Sequence, residues 1–354
     1  MVDTSIKSRP YRDGDEEGIN DLFNRVFGKN RTIEQWRWKY IENPAVGDPS
    51  QWIMLLDRGG EIVGHYASMP VDMICGGEVV KACQPVDTMI DPGAKVGIKM
   101  LRDMFREGVA LAAQEARFGF GFPNEVAYKV GKKLLGYKDL GRMEQFWRRL
   151  SLKGAVKRRM PRLPGSLVNS AHRLSKAFYS ATLSTGGHTI EEAGGFGEAT
   201  LPALDRLWDE VKETLRISAI RNGRYLHWRY SDRGYIILTA RDGEDVTGYV
   251  VLKMSDSGEE KVGFVIDFLS KEETAEFLLK SALRYFVERD AEFCLCAVVP
   301  GSPMAPYLEE AGFEGGKGFD SFPIVYVGRS SEEENDFQMN LSNWHLTYGD
   351  TDGF

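Results

Sequence analysis

The sequence predicts an α+β protein, three-layered in section, made of two tandem domains. Each domain is expected to hold a mixed, mostly antiparallel sheet flanked by helices. Three observations lead there. The chain has 354 residues, more than one ordinary core organises and enough for two domains of about 150. Its hydrophobic content of 42% and charged content of 27% describe a water-soluble globular protein. Above all, one ordered set of elements occurs twice.

The set opens with a helix. Ile19, Leu22, Phe23, Val26 and Phe27 form one helical stripe, as do Leu201, Leu204, Leu207, Trp208, Val211 and Leu215. A shorter helix follows in each half, "EQWRWKY" and "RYLHWRY", sharing Trp38-Lys39-Tyr40 and Trp228-Arg229-Tyr230. Next comes a hairpin, "WIMLLDRGGEIVGHYASM" and "YIILTARDGEDVTGYVVLKM", with glycines at the turn and Gly64 and Gly248 opening the return strands. A further strand ("PVDTMI", "VGFVIDFL") runs into an amphipathic helix, carried by Ile98, Leu101, Phe105, Val109 and Ala112 or by Phe277, Leu278, Ala282, Tyr285 and Phe286. Each half closes on a strand, a Pro-bearing loop, a short helix and a Gly-aromatic pair: "FGFGFPNEVAYKVGKKLLGY" and "FCLCAVVPGSPMAPYLEEAGF". Hairpin-linked strands followed by a helical crossover imply a mixed sheet covered by helices. The expected ranges are 1–150 and 191–330, with a basic linker and helix at 151–190 and a tail at 331–354.

Composition removes several function classes. The apolar runs are strand-sized, too short to span a bilayer. The opening "MVDTSIKSRPYRDGDEEG" lacks the basic-then-apolar profile of a secretion signal, so a cytoplasmic protein is expected. Cys75, Cys83, Cys294 and Cys296 fit neither a zinc knuckle nor a CxxC pair, so reduced thiols and no metal are expected. The net charge of −7 and the lack of a binding motif argue against nucleic acid. That charge is uneven: Arg142 to Lys176 holds ten cations against Glu144, a surplus of +9 that leaves −16 elsewhere.

On the hairpin, the "VDTMIDP" strand entering a helix at Gly97, and "FPNEVAYKVGKKLLGY" with Asn124 and Gly136-Tyr137, the chain resembles the GNAT acyltransferase superfamily, twice over and along nearly its whole length. Tandem forms resemble N-myristoyltransferases and Fem-type aminoacyltransferases. The resemblance implies acetyl-CoA or a longer acyl-CoA as donor and a small-molecule primary amine, an amino sugar among the candidates, as acceptor. It places pantetheine along Asp87, Thr88, Met89 and Ile90, and the pyrophosphate near Lys95, Val96, Gly97 and Ile98. Lys95 stands where the superfamily's phosphate loop has its first Arg or Gln, while Val96 and Ile98 replace glycines. Asn124 either bonds pantetheine or caps the next helix. Tyr128 is the nearest hydroxyl for a departing thiolate, with packing as the plainer role. Asp87 is the candidate base, its pKa expected to be raised by desolvation, against the alternative of a solvated or salt-bridged carboxylate; His65 is a weaker rival.

The second half lacks the phosphate loop. "LSKEETAEFLLK" carries Glu272, Glu273 and Glu276 where a pyrophosphate would need positive potential. It is therefore expected to be a degenerate partner, lining the acceptor with Trp228, Asp267, Trp344 and Asp350. The tail "WHLTYGDTDGF" has the aromatic and acidic residues that suit sugars or amines, against the alternative of a disordered terminus. Within the basic segment Leu167, Ala171, Leu174 and Phe178 share a helical face, with His172, Arg173 and Lys176 on others. Packing on the sheet is the ordinary expectation; weak docking of residues 153–176 on an anionic membrane is the other. The leading function is N-acyl transfer from CoA. The alternatives are Fem-like aminoacyl transfer from charged tRNA and a non-catalytic binding scaffold.

Overall fold

The computed structural model describes residues 5–353 apart from 152, 154, 155, 157, 158, 161, 183–188, 256–260, 316–321 and 329–331. Lys157 and Arg158 of the basic segment, and the side chains of Ala171, His172 and Phe178, lie outside the described residues. The chain divides into two units, and neither is contiguous: residues 1–141 with 322–340, and residues 142–321 with 341–354. This corrects the contiguous ranges expected from the repeat.

In the first unit, β1 (Ile6–Pro10) leads into α1 (Glu16–Phe27) and α2 (Ile33–Tyr40), then the hairpin β2 (Ile53–Arg58) and β3 (Glu61–Cys75). β4 (Glu78–Ile90), α3 (Ile98–Ala112), β5 (Phe118–Gly121), α4 (Glu125–Leu134) and β6 (Lys138–Arg142) follow. The sheet order is β1-β2-β3-β4-β5-β15-β6, and β15 (Pro323–Val327) comes from the far end of the chain. The short α10 (Glu332–Met339) belongs here too, with Tyr326 and Gln338 hydrogen-bonded to one another. Alternation along β2 and β3 gives two cores. Ile53, Leu55 and Ala67 meet α1 and α2 on one face, while Met54, Leu56 and Tyr66 meet α3 on the other.

The second unit repeats this plan. β7 (Glu144–Arg149) precedes α5 (Gly165–Thr182), β8 (Thr189–Ala193), α6 (Leu201–Val211), β9 (Ile217–Ala219) and α7 (Gly223–Tyr230). Then come β10 (Ile236–Asp242), β11 (Asp245–Ser255), β12 (Val262–Ser270), α8 (Glu272–Glu288), β13 (Phe293–Val298), α9 (Ala305–Glu310), β14 (Glu314–Gly315) and β16 (Trp344–His345). The sheet order is β14-β7-β13-β12-β11-β10-β8. β7 and β15 thus stand at matching places, each beside the fifth strand of the half it does not belong to in sequence. The repeat in sequence omitted β1, β8 and β9. All four cysteines are buried and unbridged.

Candidate active site

In the first unit, parallel β4 and β5 pair only at Ala82–Phe118 and Cys83–Gly119. Beyond that point β4 continues to Ile90 with its β3 side still paired. The Asp91 N–H donates to the Val63 carbonyl. Strand alternation therefore turns the N–H groups of Thr88 and Ile90 toward the edge that β5 has left. A bulge sits just before them: Ala67 faces Val86 whereas His65 faces Met89, and Asp87 takes a φ of 46°. Met89 pairs with His65 on β3 and its side chain is buried in the core, so of this stretch Thr88 and Ile90 offer backbone to a ligand.

β4 ends in a short turn over Pro92–Ala94, where the Asp91 carboxylate accepts from the Gly93 N–H at 2.7 Å. Lys95 then takes a left-handed φ of 51° and the chain enters α3 through Gly97. No side chain caps α3, no acid stands in its first turn, and Lys95, Gly97 and Ile98 are exposed. Val96 packs against the α3-side core. The first N–H groups of a fifteen-residue helix are thus left to solvent or to an anion. The matching helix of the second unit, α8, begins with Glu272 and Glu273, and its Lys271 is paired with Glu210.

Behind the bulge lies a buried polar cluster. The Asp87 carboxylate, 7% exposed, accepts from Arg31 Nη1 at 2.7 Å, Lys39 Nζ at 3.1 Å and the Tyr40 hydroxyl at 2.5 Å. Asn20 Oδ1 holds Arg31 Nε at 2.7 Å, and the guanidinium lies 3.6 Å over the Phe23 ring. Burial alone would raise the Asp87 pKa, as expected from sequence. The charges of Lys39 and Arg31 and the Tyr40 hydrogen bond outweigh it and hold the carboxylate well below its usual range. The expected raised pKa is therefore corrected: Asp87 is a weak proton acceptor fixed in an ion pair. His65 is fully buried, and burial pushes its pKa down to about 4, so it is neutral at pH 7. Its Nδ1 lies 2.7 Å from the Asp87 carbonyl oxygen, which can only accept, so Nδ1 carries the proton.

The second unit builds the same cluster. Asp267 accepts from Arg221 Nε at 3.1 Å and the Tyr230 hydroxyl at 2.9 Å. A shared local pattern produces both. Thr32 and Asn222 cap the short helices α2 and α7, an arginine precedes each cap, and the tyrosine closes each helix nine positions after that arginine. "RTIEQWRWKY" and "RNGRYLHWRY" carried this signal, but sequence reasoning stopped at Trp-basic-Tyr and missed Arg31 and Arg221.

The surroundings differ. β12 and β13 also part after Val265–Cys296, but here residues 347–350 pack into the opening. Thr347 bridges to Val298, and its hydroxyl lies 3.1 Å from Asp267 Oδ1. Asp350 accepts from Arg221 Nη2 and from the Thr347 N–H, both at 2.7 Å. Gly349 sits so close that a Cβ there would come within 2.1 Å of the Tyr230 hydroxyl. Burial raises the Asp350 pKa, while Arg221 keeps that of Asp267 low. His345 is buried nearby and held neutral, its pKa pushed down to about 3 by burial.

The predicted residues therefore separate into groups. Thr88, Ile90, Lys95, Gly97 and Ile98 line one open edge and helix start. Asp267 and Asp350 are brought together, but as a buried network, and Trp344 is 1% exposed, so these three are closed to a substrate. Trp228 is half-buried against Tyr225. Asn124 is exposed and caps α4, its Oδ1 accepting from the Ala127 N–H at 2.9 Å. The Tyr128 hydroxyl donates to Asp139 at 2.6 Å. Among the described residues, no three His, Cys, Asp or Glu side chains gather as metal ligands.

Residues 7–131 match the family model described as an acetyltransferase (GNAT) domain. A search of curated proteins finds no sequence match. Several solved structures share the fold. A GCN5-related N-acetyltransferase from Kribbella flavida aligns over 92% of this chain and 71% of its own, with TM-score 0.61 and 15% identity. An Enterococcus faecalis protein described as a probable N-acyltransferase aligns over 91% and 72%, with TM-score 0.64 and 11% identity. Saccharomyces cerevisiae N-myristoyltransferase, solved with bound myristoyl-CoA, aligns over 92% and 83%, with TM-score 0.56 and 10% identity.

Proposed function

We propose that the chain, whose residues 7–131 match an acetyltransferase (GNAT) domain, moves an acyl group from a CoA thioester to a primary amine, using the first unit alone for the donor. The observation that carries this reading is the unpaired edge of β4 at Thr88 and Ile90 leading directly into the bare, acid-free start of α3. Pantetheine would pair with that edge as an added strand does. The pyrophosphate would meet the α3 N–H groups with Lys95 beside it.

In the reaction the amine nitrogen attacks the thioester carbonyl carbon, the C–S bond breaks, and the amine proton goes to solvent. An N–H group aimed at the carbonyl oxygen at the bulge would stabilise the developing charge. Asp87 serves as a positioning residue, fixing Tyr40 and Arg31 behind the bulge, because its carboxylate is too weakly basic to take the proton. The Tyr128 hydroxyl is engaged by Asp139, and a thiol with a pKa near that of free cysteine, about 8.5, leaves with little help. The tail residues Trp344 and Asp350, which would suit a sugar, are buried, so the acceptor is better described simply as a primary amine than as an amino sugar.

Calorimetric titration with acetyl-CoA and with a long-chain acyl-CoA tests the donor site. One site per chain is expected, weakened about tenfold by Lys95→Glu and unchanged by Glu272→Gln. Two equal sites, or a site that responds to Glu272 and not to Lys95, would place the donor elsewhere. Thiol release dependent on an added amine, rising with pH as the amine loses its proton, tests the chemistry.

A further inference from the structure

We infer that α5 and the residues leading into it form a surface that docks on an anionic lipid membrane. Residues 153–176 contain seven lysines and arginines and no aspartate or glutamate, in a chain whose net charge is −7. The apolar stripe in this helix would ordinarily pack on the sheet. Instead Leu167 is 55% and Leu174 73% exposed, and Met160 just upstream is 58% exposed. Among the described residues only six large apolar side chains are at least 55% exposed, and three of them fall in this one short segment. The other three, Val79, Ile98 and Val126, lie on separate elements.

The helix orientation explains the exposure. At 100° per residue, Leu167 and Leu174 lie about 20° apart, on one face. Lys176 lies about 200° from Leu174, on the opposite face. That opposite face is anchored to the end of α8, where Lys176 Nζ donates to the Glu288 carbonyl and to Asp290, each at 2.9 Å. The leucines consequently point away from the unit. Arg159, Arg162 and Arg173 are exposed in the same segment.

Charge complementarity selects an anionic partner, and the interleaved leucines select among anionic partners. An acidic protein face would satisfy the arginines and leave Leu167 and Leu174 in water. An anionic bilayer offers negative potential at its headgroups and an apolar boundary just beneath. Among the described residues no helix is long and apolar enough to cross a membrane, so the segment would lie on the surface.

The test is co-sedimentation of the full chain with phosphatidylcholine vesicles, with and without phosphatidylglycerol. Binding is expected only with phosphatidylglycerol, falling at least tenfold in the double variant Leu167→Gln/Leu174→Gln and at least tenfold in Arg159→Gln/Arg162→Gln/Arg173→Gln. All five positions are exposed, so circular dichroism should be unchanged. No binding to phosphatidylglycerol vesicles overturns the inference. So does binding that the arginine variant abolishes and the leucine variant leaves intact, which would indicate an acidic surface of any kind. A concentration-dependent dimer that the leucine variant dissociates, without vesicle binding, would assign the face to a second copy and equally overturn it.

Discussion

The two units set the same arginine, tyrosine and aspartate at the same place in the same strand order, and then use the place differently. In the first, Asp87 faces two cations and the neighbouring strand edge is open. In the second, one cation, Arg221, is shared between Asp267 and Asp350, and the segment carrying Asp350 occupies the opening. Duplication has preserved the polar support of the bulge while only one copy retains an accessible edge. The support is therefore a structural requirement of the parted strands and cannot by itself mark a donor site. What distinguishes the units is the helix start, bare beside Lys95 in one and acidic at Glu272 and Glu273 in the other.

The comparison breaks most readily at the carboxylates. Asp87→Asn leaves Arg31 and Lys39 buried without the charge they share, and should cost about 3–5 kcal/mol. Asp267→Asn leaves Arg221 still paired with Asp350, and should cost less, about 1–3 kcal/mol. Denaturant unfolding of the two variants measures the order, and a larger loss at Asp267 would sink the claim that its partner carboxylate compensates.

Acid sharpens the same contrast. The folded pKa of Asp87 lies below its unfolded value, so its contribution is fully present above the unfolded value and is lost as pH falls below about 5. The gap between wild type and Asp87→Asn should narrow over that range. Asp350 has the opposite sign: its folded pKa is raised, so its contribution is present at low pH and is lost as pH rises through that raised value. Asp267 itself is held low by Arg221 and loses its contribution in acid as Asp87 does. Its charge adds to burial in raising the Asp350 pKa, so the two shifts oppose each other and acid should narrow the gap less for Asp267→Asn. Parallel narrowing in both variants would show that the two clusters titrate alike.

Next in size is the filled opening itself. Gly349→Ala forces a Cβ against Tyr230 and Asp267, and should destabilise by about 1–3 kcal/mol as an overpacked site does. Gly97→Ala meets nothing within 4 Å at a backbone any residue adopts, and should stay within about 0.5 kcal/mol. Equal effects from the two alanines would deny that one opening is closed and the other free.

Much of this was legible in the sequence, and the failures have identifiable causes. The duplicated order was visible because each element announces itself locally, through helical stripes, glycine turns and apolar runs. The exchange of β7 and β15 was not, since "EQFWRR" and "PIVYV" read as strands without saying which fifth strand they adjoin. The sign of the Asp87 shift was missed for a related reason. Burial on a strand is a local property, whereas its cations come from 56 and 48 residues away. The open helix start at Gly97 and the acidic one at Glu272 were both readable, because charge in a first turn is local.

The smallest expected effect separates two roles for one residue. Asn124 caps α4 through the Ala127 N–H, whereas Met304, at the cap position of the equivalent helix α9, makes no side-chain cap. If capping is its whole contribution, Asn124→Ala should cost about 1 kcal/mol and Asn124→Asp nearly nothing, since aspartate accepts the same hydrogen bond. Donor affinity should then be unchanged in Asn124→Asp. If the side-chain amide also donates to pantetheine, Asn124→Asp keeps its stability but loses that donor and sets a carboxylate beside the ligand. CoA should then bind about tenfold more weakly in that variant, which is about 1.4 kcal/mol, and more weakly in Asn124→Ala too, which lacks the same amide. Thermal unfolding and CoA titration of the same two proteins decide between the roles, because alanine removes both the cap and the amide whereas aspartate keeps the cap and removes only the amide.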